Sequence, residues 1–323
     1  MDVTADVDEL AQARRTNALV EEVLAAAPPV HTVDPVVTRR ERAEGRGVFP
    51  APVRLDVART VHVPGPAGDI PVRVLAPDRV AGVYLHLHGG GWVLGAADQQ
   101  DPWLWQLATG AGVAVASVEY RLAPEHPYPA GPDDCEAVAG WLLAGGAAEL
   151  GSERLVIGGE SAGAHLAVLT LLRLRDGDGA VPGGRRAGPA FAGANLVFGA
   201  FDLSGTPSLR RWGDRNLILS RPIVDWFIDC FTPGRTPEDR RDPAVSPLYA
   251  DLTGLPPALF VVGDLDPVLD DSLFMAARWR AAGNRVDLAV FPESIHGFTA
   301  FPGNLAARAQ ALQVAFVRRA IGA

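Results

Sequence analysis

Arg154-Leu155-Val156-Ile157-Gly158-Gly159-Glu160-Ser161-Ala162-Gly163-Ala164-His165 is a short apolar run that breaks at a glycine-flanked serine and resumes with helix-forming residues. Gly-x-Ser-x-Gly between a strand and a helix marks a turn so tight that only glycines tolerate the close backbone approach on either side of the serine. Such a turn lifts the hydroxyl clear of the sheet, which makes Ser161 a candidate nucleophile. Two glycines around a serine also occur in ordinary loops, so the surrounding chain has to supply the discrimination.

Working outward, Leu155 to Gly158, Leu196 to Gly199 and Leu259 to Val262 are continuous rather than alternating apolar runs, as expected of parallel strands buried on both faces. Further strands are expected at Val83 to Leu87, Val113 to Val118 and Val286 to Phe291, with helices at Asp101 to Thr109, Pro132 to Ala144, Ala162 to Arg175, Ser272 to Ala282 and Asn304 to Ile321. Strands alternating with helices predict a mostly parallel sheet between two helical layers. Leu55 to Val63 and Ile70 to Leu75, separated by Pro64-Gly65-Pro66-Ala67-Gly68-Asp69, read as an antiparallel hairpin in front of it. A helix is expected from residue 5 to 27, followed by a charged, irregular stretch from His31 to Pro52. The rhythm breaks again between Asp202 and Leu255, where Arg, Pro and Asp mix with Trp212, Trp226, Phe227 and Phe231.

Composition removes several classes of function. At 323 residues and 48% hydrophobic, the chain can bury a large core. A net charge of −9 opposes nucleic-acid binding, which needs a basic face to displace phosphate counterions. Met1 to Ala13 carries four acidic residues and no apolar stretch of the secretory kind, and no run reaches the length of a membrane span, so a cytoplasmic setting is expected. Cys135 and Cys230 lack the spacing of a metal site and suggest no disulfide framework.

A serine hydroxyl attacks only when a base takes its proton, and that base needs a third group to orient it. In a parallel sheet the loops after the carboxyl ends of strands share one edge, so the partners belong after later strands. His296 follows the strand at 286–291, and Asp264, Asp266, Asp270 and Asp271 follow the strand at 259–262. Sequence position alone does not choose among these four carboxylates. His86 and His88 alternate on one strand face and could pair on a metal, but no further ligand accompanies them, so none is expected; His165 reads as a packed core histidine. Gly89-Gly90-Gly91, just after a strand, lets backbone N–H groups reach an oxyanion, and Ala162 adds the N–H that follows the nucleophile. A phosphate cradle is the competing use of such glycines, but neither Gly-x-x-x-x-Gly-Lys nor Gly-x-Gly-x-x-Gly is complete here.

The motifs His88-Gly89-Gly90-Gly91-Trp92, Tyr120-Arg121-Leu122-Ala123-Pro124-Glu125-His126-Pro127-Tyr128-Pro129-Ala130, Gly159-Glu160-Ser161-Ala162-Gly163, Asp266-Pro267-Val268-Leu269-Asp270 and His296-Gly297-Phe298 occur in that order. Together they make the chain similar to the hormone-sensitive-lipase-like family of α/β-hydrolases, the bacterial esterases with an HGGG motif. The resemblance implies an α/β-hydrolase fold whose eight-stranded, mostly parallel sheet carries a helical cap. The cap would comprise residues 1–52 and an insertion at 203–250, with the catalytic core at 53–202 and 251–323. It also implies Asp266 as the acid, and Gly90, Gly91 and Ala162 as oxyanion donors, with Tyr120 to Ala130 as support. Ala164 departs from a frequent third elbow glycine, and Val268 adds bulk after Asp266-Pro267.

The expected activity is therefore a cofactor-independent serine carboxylesterase acting on small to medium acyl esters through Ser161, His296 and Asp266. Lactone or amide hydrolysis and acyl transfer use the same triad. A non-catalytic hydrolase-like receptor is the reading from another class, and the presence of His296 opposes it. Trp92, Trp212, Trp226 and Phe227 are candidates for an aromatic substrate pocket, although each could equally glue the insertion to the body. The strand at 286–291 would either pair two subunits along an exposed edge or be covered.

Overall fold

The computed structural model describes residues 2–49, 51–177 and 191–323; residues 1, 50 and 178–190, which fall inside the first two expected segments, lie outside the described residues. Ten helices and eight strands follow in the order α1 (Val7–Ala25), α2 (Pro35–Ala43), β1 (Arg59–Gly65), β2 (Gly68–Leu75), β3 (Gly82–Leu87), α3 (Asp101–Ala111), β4 (Val113–Val118), α4 (Ala130–Trp141), α5 (Ala147–Glu149), β5 (Leu155–Glu160), α6 (Ala162–Asp176), β6 (Phe191–Val197), α7 (Pro207–Trp212), α8 (Arg221–Phe231), β7 (Ala258–Leu265), α9 (Leu269–Ala281), β8 (Val286–Ile295) and α10 (Asn304–Ile321) among the described residues.

The strands form one sheet in the order β1-β2-β4-β3-β5-β6-β7-β8. β1 and β2 pair antiparallel, as do β2 and β4, and every later neighbour is parallel. The middle strands β3, β4 and β5 are buried at every residue, the pattern their unbroken apolar runs dictate. One face packs against α4, α6 and α9 through residues such as Val138, Leu166 and Trp279. The other packs against α3 and α10 through Leu104, Ala309 and Phe316. β5 therefore sits centrally, and the end of β5 is where the serine emerges.

Several boundaries differ from expectation for local reasons. The first hairpin is tighter, since Gly65 pairs with Gly68 and only Pro66-Ala67 makes the turn. The stretch expected to be irregular contains α2, started by the Asp34 carboxylate accepting from Val36 N at 2.8 Å, with Pro35 in the first turn. β6 begins at Phe191 and ends at Val197 rather than running to Gly199, because Phe198 takes a positive φ of 37° and turns the chain out of the sheet. α9 begins three residues early, placing Asp270 and Asp271 in its first turn, where acids suit the helix dipole.

The chain's own beginning meets the edge of the sheet. Asp2 bridges to Val290 of β8, and Val3 N donates to the Val290 carbonyl at 2.9 Å. α1, started by a reciprocal capping box between Asp6 and Glu9, then lies against the end of β8, with Arg14 on Glu293 at 2.7 Å. Among the described residues no helix is long and apolar enough to cross a membrane.

Candidate active site

Ser161 joins β5 to α6 with φ 56° and ψ −119°, a conformation that costs a non-glycine residue energy and is held by its surroundings. Ser161 N donates to the Val197 carbonyl at 2.8 Å, which pins the elbow to the end of β6. The flanking glycines are required by the end of β3: a Cβ on Gly159 or on Gly163 would overlap the Leu87 carbonyl oxygen. The alanine at 164 is accommodated on the other side, where Gly199 leaves room; a Cβ there would come within 2.9 Å of the Ala164 methyl.

His296 follows β8 and lies between the serine and an acid. Its Nε2 is 2.9 Å from Ser161 Oγ and its Nδ1 is 2.8 Å from Asp266 Oδ2. The other Asp266 oxygen accepts from Val268 N at 2.9 Å, so the residue that adds bulk after Pro267 also fixes the carboxylate through its backbone. Asp266 and His296 are buried while Ser161 is half-exposed, so the chain of bonds runs from a dry interior toward an accessible hydroxyl. The Phe198 ring meets His296 edge to face at 4.9 Å and covers one side of the imidazole.

The other three carboxylates go elsewhere. Asp264 is exposed. Asp270 accepts from Ser208 N at 2.7 Å. Asp271 accepts from Phe201 N, Asp202 N and Thr206 Oγ1, and burial pushes its carboxyl up to about 7. Glu160, next to the serine, points away from His296: its carboxylate lies 3.0 Å from His86 Nε2, and His86 Nδ1 is 2.8 Å from Ser117 Oγ.

The glycine loop runs against the elbow, since a Cβ on Gly89 would come within 3.5 Å of the Ser161 Cβ. The Gly89 carbonyl accepts from His88 Nδ1 at 2.9 Å, and the Gly90 carbonyl accepts from Leu94 N at 2.8 Å. In a trans peptide the carbonyl and the following N–H point in opposite directions, so the N–H groups of Gly90 and Gly91 are turned away from those partners. Among the described residues neither N–H has a protein acceptor. Gly90 has φ 125° and Gly91 φ 61°, which only glycine adopts at ease. Phe227 of α8 packs directly on Gly91, leaving no space for a side chain there.

Support behind the loop is aromatic and imidazole-rich. His88 stacks on Tyr120 at 4.1 Å, and the Tyr120 hydroxyl donates to the His88 carbonyl at 2.7 Å. Trp92 stacks on Phe231 at 4.8 Å and donates from Nε1 to His165 Nδ1 at 3.1 Å, while His165 Nε2 donates to the Val245 carbonyl at 2.8 Å. Burial lowers the pKa of both His88 and His165 to about 4, so both are neutral at ordinary pH.

Of the four candidate pocket aromatics, Phe227 lies on the glycine loop and Trp226 packs against it at 4.9 Å. Trp92 is 4% exposed within the stack just described. Trp212 belongs to the opposite apolar cluster and donates to the Arg215 carbonyl. Among the described residues no group of three or more His, Cys, Asp or Glu is arranged to hold a metal. One participant had no local signal in the sequence: Arg39 of α2 donates to the Val93 and Ala123 carbonyls, both at 2.7 Å, and pairs with Glu125 at 2.8 Å.

Comparison with known proteins shows the family. The alpha/beta hydrolase fold family matches residues 84–300. The chain is 38% identical over 267 residues to carboxylesterase NlhH of Mycobacterium tuberculosis, covering 78% of each. It is 33% identical over 237 residues to an ethyl acetate hydrolase of Pseudomonas putida, covering 71% of each. A solved bacterial heroin esterase superposes with a TM-score of 0.80 at 31% identity over 99% of both chains.

Proposed function

The chain belongs to the α/β-hydrolase fold family, in its hormone-sensitive-lipase-like branch, and is a carboxylic ester hydrolase; from that premise we propose that it cleaves small to medium acyl esters with Ser161 as nucleophile, His296 as base and Asp266 as orienting acid. The observation that carries this reading is the single imidazole bonded at Nε2 to Ser161 at 2.9 Å and at Nδ1 to Asp266 at 2.8 Å.

Asp266 keeps the proton on Nδ1, which leaves the Nε2 lone pair facing the serine. As Oγ attacks the ester carbonyl, Nε2 takes its proton, and the N–H groups of Gly90, Gly91 and Ala162 receive the negative charge that forms on the carbonyl oxygen. Collapse of the tetrahedral adduct breaks the bond to the alkoxide, which leaves with the proton returned by His296. A water then repeats the attack on the acyl-serine with His296 again as base, releasing the acid and restoring the hydroxyl.

Residues 1–52 and 203–250 act as the cap in this reading, supported by Arg39 on the first and Phe227 on the second, each touching the glycine loop or its continuation. The Phe227 ring on Gly91, with Trp226 packed against Phe227, favours acyl chains of modest length. A cytoplasmic setting belongs to the same proposal and accords with two free thiols, Cys135 and Cys230.

The test is Ser161→Ala. Turnover of short-chain aryl esters should fall by about 10⁴ or more, and a fluorophosphonate should label wild type but not the variant. Undiminished turnover in the variant overturns the assignment. A panel of acyl esters of increasing length tests the cap, since flat activity along the series speaks against a length-limited pocket.

A further inference from the structure

The end of β6 is tied to the elements that carry all three residues Ser161, Asp266 and His296. The Val197 carbonyl accepts from Ser161 N at 2.8 Å. Phe198 N donates at 2.6 Å to the Val261 carbonyl of β7, the strand that leads to Asp266. The Phe198 ring lies edge to face on His296 at 4.9 Å, with 60° between the two planes. It also meets the ring of Phe298, two residues beyond His296, at 6.2 Å, and the residue is 3% exposed.

Phe198 is held there in a conformation that its side chain opposes. Its φ of 37° lies in the left-handed region, where a bulky residue crowds its own backbone and which glycine enters freely. Among the described residues only five other than glycine have a positive φ, and Ser161 is another of them. Strain of this kind persists where the surroundings over-determine it, and it gathers at functional sites. Glycine at 198 would release the backbone, and what would be lost with the side chain is the contact with the base.

The bonds at Nδ1 and Nε2 define a line through the His296 imidazole but leave rotation about that line free. A neighbouring ring removes the freedom, because aromatic contacts prefer particular tilts. We propose that Phe198 is a positioning residue for His296: its ring sets the tilt of the imidazole, so that Nε2 stays directed first at the serine hydroxyl and then at the leaving alkoxide. The dipeptide Val197-Phe198 thereby fixes nucleophile and base to each other, the first through a carbonyl and the second through a ring. The inference rests on the reading of Ser161, His296 and Asp266 as the triad.

The experiment compares wild type with Phe198→Leu, Phe198→Gly, Phe198→Tyr and Phe291→Leu, the last altering a buried ring of the same cluster that packs on Phe298 at 5.2 Å. Phe198→Leu should lower kcat for a short-chain aryl ester about tenfold or more with KM within about twofold, and should slow fluorophosphonate labelling in proportion. Phe198→Gly should lose as much although it frees the backbone, and Phe198→Tyr, which keeps a ring, should recover most of the rate. Phe291→Leu should lower the urea midpoint comparably to Phe198→Leu and leave kcat within about twofold, which separates positioning from general loosening. The deciding readout is magnetic resonance of isotope-labelled histidine nitrogens, with His296 assigned by the signals lost in His296→Gln. Its two ring nitrogens should be well separated in wild type and should move toward each other in Phe198→Leu, as the imidazole begins to exchange between orientations. Nitrogens that stay in place in Phe198→Leu overturn the proposal whatever kcat does. If Ser161→Ala retains turnover, the triad reading fails separately, and the nitrogen shifts still decide whether Phe198 orients His296.

Discussion

The guanidinium of Arg39 on α2 holds the carbonyl of Val93, two residues past the end of the Gly89–Gly91 loop: Nε donates to it at 2.7 Å while the same group bonds Ala123 and Glu125. One side chain from the amino-terminal segment therefore fixes the continuation of the glycine loop that runs against Ser161.

Arg39→Met should consequently lower kcat more than it raises KM. Removing the guanidinium leaves two carbonyls of buried residues without their donor, at a cost of about 2 kcal/mol or more in stability. We expect kcat to fall about tenfold, and Glu125→Gln to do much less because both carbonyl bonds survive. Steady-state kinetics with a short-chain aryl ester, alongside urea midpoints, checks both.

The acid can be tested against its nearest rival. Asp266→Asn should reduce turnover by about 10³-fold or more, since an amide no longer enforces the Nδ1–H tautomer. Asp264→Asn should stay within about threefold, because that carboxylate is exposed and does not touch His296. The opposite pattern would transfer the role to Asp264.

The elbow glycines are a packing requirement that a stability measurement reads directly. Gly163→Ala drives a methyl into the Leu87 carbonyl, and neither backbone can yield within the sheet. We expect a loss of several kcal/mol or insoluble protein. Ala164→Gly should cost only about 1 kcal/mol, the helix-propensity term, since its methyl faces Gly199.

Stability should fall on mild acidification for reasons separate from catalysis. Burial lowers the pKa of His88 and His165 from 6.5 to about 4, so the unfolded chain binds protons that the native chain refuses. The stabilising contribution is complete above the unfolded pKa and declines as pH drops from about 6.5 toward 4, by about 2 kcal/mol per histidine between about pH 7 and pH 5. Urea unfolding at the two pH values checks the slope, and His165→Asn should flatten it by roughly half.

The central strands and the helices between them were legible because strands buried on both faces must be continuously apolar, and Leu155 to Gly158 is such a run. The serine and histidine were legible because the sheet's polarity confines partners to loops after later strands. The four neighbouring aspartates were not separable by position, since what distinguishes Asp266 is a 2.8 Å contact across thirty residues of chain. α2 was missed because four of its nine residues are charged and its start depends on the Asp34-Pro35 cap rather than on periodicity. Arg39 carries no local mark at all: an arginine three residues from another reads as a solvated face until its partners are known. Trp92 and Phe227 are the same kind of residue in sequence, yet one stacks beneath the glycine loop against Phe231 while the other lies on the loop itself.

The pairing of Val3 with Val290 also orders events during synthesis. Val3 docks on β8, the last of the eight described strands to be made, and Arg308 of α10 closes on Glu9. α1 must therefore wait, unsheltered, until β8 and α10 have emerged. Val20 of α1, buried once the helix has docked, stays uncovered through that interval, so translation speed through β8 and α10 should govern soluble yield more than speed anywhere upstream.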